Sequence, residues 1–256
     1  MKKLLLLITA LFLLVSVDGQ ILRYSNYTAP TPPEEPASNA PSFLTSDGDT
    51  ELWLIASEES TITKDGSNLV NEWRDYLGSA RKVVNTDENS MYYPLWTAGG
   101  VSFDGSVQYL TGAFTLTQPE TVYIVFTLET YATWRYIFDG ITGDVGALLT
   151  ETTNNVWNAY AGTVSSGKTL SLNTAYVAAI TFNGASSVYQ INDDTPITGN
   201  FGSSNMGGLT LGRTMGSAGT NADVVIKEVI VRSASDSETN RNAVVTYLIN
   251  EYSIPL

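Results

Sequence analysis

The chain has no cysteine and no histidine among its 256 residues. The first absence excludes disulfides and thiolate chemistry. The two together exclude an ordinary zinc site, a Ser-His-Asp triad and a Cys-His pair. What remains is carboxylate chemistry, tyrosine or lysine bases, and oxygen-ligated metals such as calcium. Positive charge is scarce too: 13 Lys and Arg stand against 26 Asp and Glu. No long basic run appears, so the clustered Lys and Arg that hold nucleic acid or anionic lipid are missing, and neither is an expected partner.

The chain opens MKKLLLLITALFLLVSVDGQ, two lysines, an apolar run from Leu4 to Val17 and a small-residue exit. This pattern predicts a secretory signal peptide over residues 1–19, cleaved after Gly19, with Val17 and Gly19 at the −3 and −1 positions. The run is shorter than the roughly 20 residues a spanning helix needs, so no membrane span is expected after cleavage. Removing Lys2, Lys3 and Asp18 leaves 11 basic against 25 acidic residues, a net charge of −14. An exported chain without cysteine points to bacteria or their phages. Residues 20–42 read as an extended N-terminal segment and linker, with five of the nine prolines at positions 30, 32, 33, 36 and 41. Proline fixes φ and removes a donor, which suits a semi-rigid spacer.

From Phe43 to Leu256 short runs rich in Val, Ile, Tyr, Phe and Thr alternate with Gly, Asn, Asp and Ser clusters. They predict strands at Leu52–Ala56, Val101–Phe103, Gln108–Leu110, Thr121–Leu128, Arg135–Phe138, Gly146–Thr150, Val156–Ala161, Ala175–Phe182, Ser187–Ile191, Gly208–Leu211 and Val224–Arg232. Asn183-Gly184 reads as a tight hairpin turn. GGVSFDGSVQYL, Gly99 to Leu110, reads as two short strands joined at Asp104-Gly105, with Asp104 a turn-former. Ser235-Asp236-Ser237-Glu238 fits a capping box, and Val244, Val245, Leu248, Ile249 and Tyr252 follow helical spacing up to Pro255. The expected fold is all-β, an antiparallel two-sheet sandwich with one C-terminal α-helix over residues 43–256.

Several patterns occur in order: ELWLIASEEST, NLVNEWRDYLGSARK, GGVSFDGSVQYL, QPETVYIVFTL, AYVAAITFNGASSVYQIND, MGGLTLGR and VVIKEVIVRSASDSETNRNAVVTYLINEY. Together, from Glu51 to Tyr252, they resemble the laminin G-like or concanavalin A-like lectin/glucanase superfamily, in its exported and phage-associated branch. The resemblance implies a jelly roll whose concave face or loop rim binds sugars or proteins, sometimes with calcium. In WRDYLGSAR the chain departs from the pattern, since Tyr76 and Leu77 stand where relatives carry polar residues.

Glycosidases of that superfamily use Glu-x-Asp-x-x-Glu, which places two carboxylates on one strand face. No such string occurs; Glu72 with Asp75, Asp87-Glu88 and Asp193-Asp194 have the wrong spacing. Arg135 and Tyr136 adjoin as a lyase would need, charge neutraliser beside base. Asp47, Asp49 and Glu51 alternate as in an EF-hand loop, but Leu52 occupies the position that needs glycine. Asp104, Asp193, Asp194 and Asp223 are the candidate calcium ligands. Trp134, Tyr136, Trp157, Asn158 and Tyr160 are the candidate sugar-binding group, since aromatic faces stack on sugars beside amide acceptors. Period-2 alternation puts Trp134, Tyr136 and Phe138 on one face, and Trp157 opposite Tyr160.

The expected function is a non-catalytic exported module for glycan binding or adhesion at a bacterial or virion surface, with a glycan or surface protein as partner. The alternatives are a structural virion component, with homo-oligomer or virion assembly, and a polysaccharide-cleaving glycosidase or lyase. No cofactor is required, and Ca2+ is the one candidate.

Overall fold

Runs of β-branched and aromatic residues become strands throughout the computed structural model of the chain, which describes residues 39–256. In chain order they are β1 (Thr50–Ile55), β2 (Ile62–Lys64), β3 (Val70–Arg74), β4 (Lys82–Val84), β5 (Leu95–Thr97), β6 (Gly100–Asp104), β7 (Leu110–Ala113), β8 (Glu120–Leu128) and β9 (Tyr136–Asp139). They continue with β10 (Ala147–Thr150), β11 (Val156–Tyr160), β12 (Lys168–Thr169), β13 (Ala175–Phe182), β14 (Ser187–Ile191), β15 (Ile197–Gly199), β16 (Gly208–Leu211) and β17 (Asp223–Arg232). A short helix, α1 (Phe43–Ser46), precedes them and α2 (Glu238–Glu251) follows. The expected signal segment, residues 1–19, and most of the expected linker lie outside the described residues. Among the described residues no helix is long and apolar enough to cross a membrane.

The strands form two antiparallel sheets. One has eight strands, in the order β15-β14-β13-β8-β17-β6-β5, with β1 also paired to β17; the other has nine, β12-β11-β10-β9-β16-β7-β4-β3-β2. The eight-stranded sheet is covered on both faces, which explains why its central strands are apolar almost continuously. In β8, Val122, Ile124, Phe126 and Leu128 enter the core between the sheets, while Tyr123 and Val125 face α2. Along β17, Val224 and Ile226 point into the core; a bulge at Lys227 then shifts the phase, so Val229 and Val231 point inward instead. One edge of β17 pairs with β8, and the other is shared end to end by β6 and β1.

The phase shift has a consequence for charge. Glu228 and Arg232 fall on the helix-facing side, both almost wholly buried. Glu228 accepts hydrogen bonds from Trp53 Nε1 (2.7 Å) and Tyr252 Oη (2.8 Å). Arg232 Nε pairs with Asp236 (2.9 Å), Nη2 with Asp47 (2.7 Å), and Nη1 donates to Thr50 Oγ1 (2.9 Å). Around these polar groups α2 lays Val244, Val245, Leu248 and Ile249 against Trp53, Val125, Val177 and Ile230. Leu44 of α1 joins that layer, and Ala40, within the expected linker, packs against it.

Three local readings are corrected. Ser237, not Ser235, caps α2: its side chain accepts the Asn240 N–H, while Ser235 Oγ accepts from Asn183 Nδ2 (3.4 Å) outside the helix. Asn183-Gly184 does not make a two-residue hairpin turn, since a 3-10 turn at Gly184–Ser186 joins β13 to β14. The FDG segment is not a hairpin either. β6 belongs to the eight-stranded sheet and β7, which starts only at Leu110, to the nine-stranded one, so Asp104-Gly105 begins a crossover between sheets. Asp104 is still the turn-former expected, its Oδ1 accepting from Ser106 N–H at 2.9 Å. Gly105 has φ +67, and a Cβ there would lie 2.9 Å from Asp223 Cβ, so only glycine fits.

Candidate functional site

Antiparallel pairing brings the end of β6, the end of β8 and the start of β17 to one rim of the eight-stranded sheet. Asp104 stands directly across from Asp223, and Val224 across from Leu128. The segment after β8, from Glu129 to Arg135, folds over this rim. Beneath it lies a small polar cavity of about 80 Å³ whose lining includes Asp104, Thr130, Arg135, Asn221 and Asp223, together with Trp157 from the nine-stranded sheet.

Several groups at the rim are held from behind. Gln108 Oε1 accepts the Asp104 N–H (2.9 Å), and Asn221 Nδ2 donates to the Gln108 carbonyl (2.9 Å), so the crossover and the approach to β17 brace one another. The Arg135 N–H donates to Thr150 Oγ1 (3.0 Å), and its guanidinium to the Gly219 carbonyl. Glu129 donates its N–H to the Asp223 carbonyl (3.0 Å). Partial burial, then the charge and hydrogen bond of Asp223, push the Glu129 carboxyl above its ordinary range. Trp157 is buried, and its indole N–H has no acceptor among the described residues.

Trp134 lies in the covering segment, between Ala132 and Arg135 of the lining. It is 51% exposed and holds φ +55. A bulky side chain in the left-handed region is a genuine outlier, costing on the order of 1–3 kcal/mol unless the surroundings enforce it. Here they do: the Trp134 N–H donates to the Glu151 carbonyl (3.3 Å), and Thr150 Oγ1 donates to the Ala132 carbonyl (2.8 Å).

The structure therefore brings residues from both sequence-predicted sets to the cavity lining, Asp104 and Asp223 from the calcium set and Trp157 from the sugar set, with Trp134 in the covering segment beside it. The others lie elsewhere. Asp193 and Asp194 sit in the turn between β14 and β15, where Asp194 pairs with Lys168 (3.2 Å). Among the described residues no group of three or more carboxylates is arranged to hold a metal ion. A calcium ion between two facing carboxylates would take the rest of its six to eight oxygens from backbone carbonyls and water.

Tyr136, Asn158 and Tyr160 share the outer face of the nine-stranded sheet, where Tyr136 packs with Ala147, Leu149 and Tyr160. A register shift between Leu148 and Leu149 sends Phe138 into the core instead, so simple alternation fails and Tyr136 and Phe138 face opposite ways. Trp157 does lie opposite Tyr160, as expected. The Tyr136 hydroxyl donates to Asp144 Oδ1 (2.6 Å), which ties it into the neighbouring loop. Thr130, Asn221 and Glu129 were not singled out from sequence. The polar break Asn221-Ala222-Asp223 before an apolar strand is the local signal that would have marked two rim positions at once.

No protein-family model matches the sequence, and no curated protein does. Solved structures do match by fold. Trypanosoma rangeli sialidase superposes with a TM-score of 0.56 at 12% identity, over 78% of this chain and 32% of its own. A mutant of that sialidase displaying trans-sialidase activity gives 0.56 at 11% identity, over 86% of this chain and 37% of its own. Domain 4 of AbnA, an extracellular GH43 arabinanase from Geobacillus stearothermophilus solved with arabinotriose, gives 0.50 at 10% identity, over 77% of this chain and 99% of its own. The chain thus spans about a third of the sialidase's length. At these identities the likeness establishes the β-sandwich fold.

Proposed function

We propose that the protein is an exported, non-catalytic glycan-binding module of the laminin G-like kind, and that the rim cavity with Trp134 is its sugar site. The observation that carries the reading is Trp134, a tryptophan left half in solvent, in a strained backbone conformation that hydrogen bonds on either side enforce. Strain of this kind persists where function requires it. An exposed indole supplies the stacking face, and Asp104, Asn221, Asp223 and Arg135 supply acceptors and donors for hydroxyls. That the arabinanase domain was solved with arabinotriose, and the sialidase with sialic acid, fits a sandwich of this type presenting sugars at its surface.

A glycan array followed by calorimetry on the best ligand tests the reading. Trp134→Asn keeps a side chain that tolerates positive φ, so the melting temperature should hold, while loss of the stacking face should cost about 2 kcal/mol, roughly 30-fold in affinity. Unchanged affinity in W134N would remove the rim as the site. Affinity should also be unchanged in EDTA, because the stacking face and the hydrogen-bonding groups of the rim act without a cation. Loss of binding on chelation would give a cation a part in sugar recognition.

A second reading, polysaccharide cleavage, has one observation in its favour. Glu129 has its carboxyl raised beside the Asp223 carboxylate, the pattern of an acid–base pair. A reducing-end assay on any glycan that binds separates the two, and release of new ends that is lost in Glu129→Gln would favour the enzyme.

A further inference from the structure

The two sandwich faces differ in what covers them. α2 closes the outer face of the eight-stranded sheet. On the nine-stranded sheet, β4 and β7 leave an open groove of about 590 Å³. Val83 and Leu110 turn into the core, which leaves Lys82, Val84 and Thr111 on the outer side, and Ile141 and Met215 form the opposite wall. Gly112 lets β7 run close against β4, since a Cβ there would run into the Lys82 carbonyl.

The charge in this groove runs against the rest of the molecule. Acidic residues outnumber basic ones two to one in the chain, yet the ionisable residues lining the groove are Arg81 and Lys82, with no carboxylate among them. Both pair with carboxylates, Glu51 and Glu72, but the carboxylates are the deeper members. Their side chains are 16% and 20% exposed, against 37% and 47% for Arg81 and Lys82. A third cation stands at the edge: Arg213 stacks over the Tyr109 ring at 3.4 Å and reaches Met215 Sδ at 3.5 Å. It has no carboxylate partner among the described residues, and its Nε is buried without an acceptor.

We propose that this groove is a second, separate site, which binds a polysaccharide carrying carboxylates on its sugars. Val84, Ile141 and Met215 offer apolar contact to the C–H faces of the sugar rings, while Lys82, Arg81 and Arg213 meet the sugar carboxylates. Three cations, two of them already ion-paired, on an acidic protein suit local contacts to sugar carboxylates and not the long run of phosphates that nucleic acid needs neutralised. The proposal rests on the glycan-binding reading but on other residues, so the two can fail independently.

The test is calorimetry and affinity electrophoresis of the whole protein with polygalacturonate and alginate, against methyl-esterified polygalacturonate as the neutral control. The acid forms should bind and the ester at least about tenfold more weakly, and binding should weaken steadily towards about 0.5 M salt, where screening is within a few ångströms. Lys82→Gln and Arg213→Gln should each weaken acid-form binding several-fold, and W134N should leave the preference for the acid form intact. Equal binding of acid and ester, or K82Q and R213Q variants that fold and bind as the parent does, would overturn the groove. Neutral glycans bound through Trp134, with no uronate bound, would overturn the groove and leave the rim standing. A protein that binds no glycan of either kind refutes both.

Discussion

Replacing Arg232 by methionine should lower the unfolding free energy by about 3–5 kcal/mol, the cost of breaking a buried ion pair from one side. Arg232, at the end of β17, is 1% exposed, and its guanidinium ties Asp47 and Thr50, distant in sequence before and within β1, to Asp236 four residues on, just before α2. Methionine fills a similar volume but leaves Asp236, whose side chain is 2% exposed, with the Tyr123 hydroxyl (2.6 Å) as its one side-chain partner among the described residues. The penalty therefore comes chiefly from an uncompensated carboxylate. Arg232→Met combined with Asp236→Leu should accordingly recover much of the loss, because removing both charges removes the desolvation cost along with the attraction. Urea unfolding of the single and double variants at neutral pH measures both numbers. A single-variant loss below about 1 kcal/mol would mean that the network is replaceable surface chemistry rather than the tie between α2 and the sheet.

That network shows where the sequence stops being readable. β8, β13, β14, β16 and β17 were legible because short runs rich in β-branched and aromatic residues, bounded by turn residues, read as buried strands. β2, β4, β5, β12 and β15 run for three residues or fewer, and several carry lysine, so local pattern could not separate them from loop. The bulges at Lys227 and beside Ile137 leave no local mark, yet each reverses the faces of the residues beyond it. One brings Glu228 and Arg232 under the helix, and the other parts Tyr136 from Phe138. Asp104-Gly105 has the same turn chemistry in a hairpin as in a crossover, and only the sheet partner of Leu110 decides between them. Three rim residues, Asp104, Trp134 and Asp223, were nameable one by one. Their convergence depends on β8, β17 and β6 being neighbours, which is a property of the strand order and not of any motif.

The largest pH effect should come from Glu120. It begins β8, is fully buried, and pairs with Phe182 of β13 in register. Its Oε1 accepts the Met206 N–H at 3.2 Å, and Oε2 has no partner among the described residues. Burial pushes its carboxyl from 4.5 up to about 8, against the opposing pull of that single hydrogen bond. Burial likewise raises Glu228 to about 7, although Tyr252 and Trp53 donate to it, and raises Asp139 despite donors from Thr214 and three backbone N–H groups. All three shifts have one sign. Above pH 4.5 the unfolded chain releases these protons while the native state keeps them, so the native state binds more protons and stability must fall as pH rises. The loss runs from the unfolded value up through the folded ones, at about 1.4 kcal/mol per pH unit for each fully linked group. Between pH 5 and 8, Glu120 alone should contribute on the order of 4 kcal/mol of that decline. Glu120→Gln imitates the neutral acid in shape and keeps an oxygen for the Met206 N–H. It should match the parent near pH 5, exceed it at pH 8, and retain the shallower slope owed chiefly to Glu228 and Asp139, with Glu129 adding to it. Urea midpoints at pH 5, 6.5 and 8 for parent and variant decide the matter. Parallel curves would show that Glu120 is already ionised in the native protein and that an acceptor-rich environment offsets its burial.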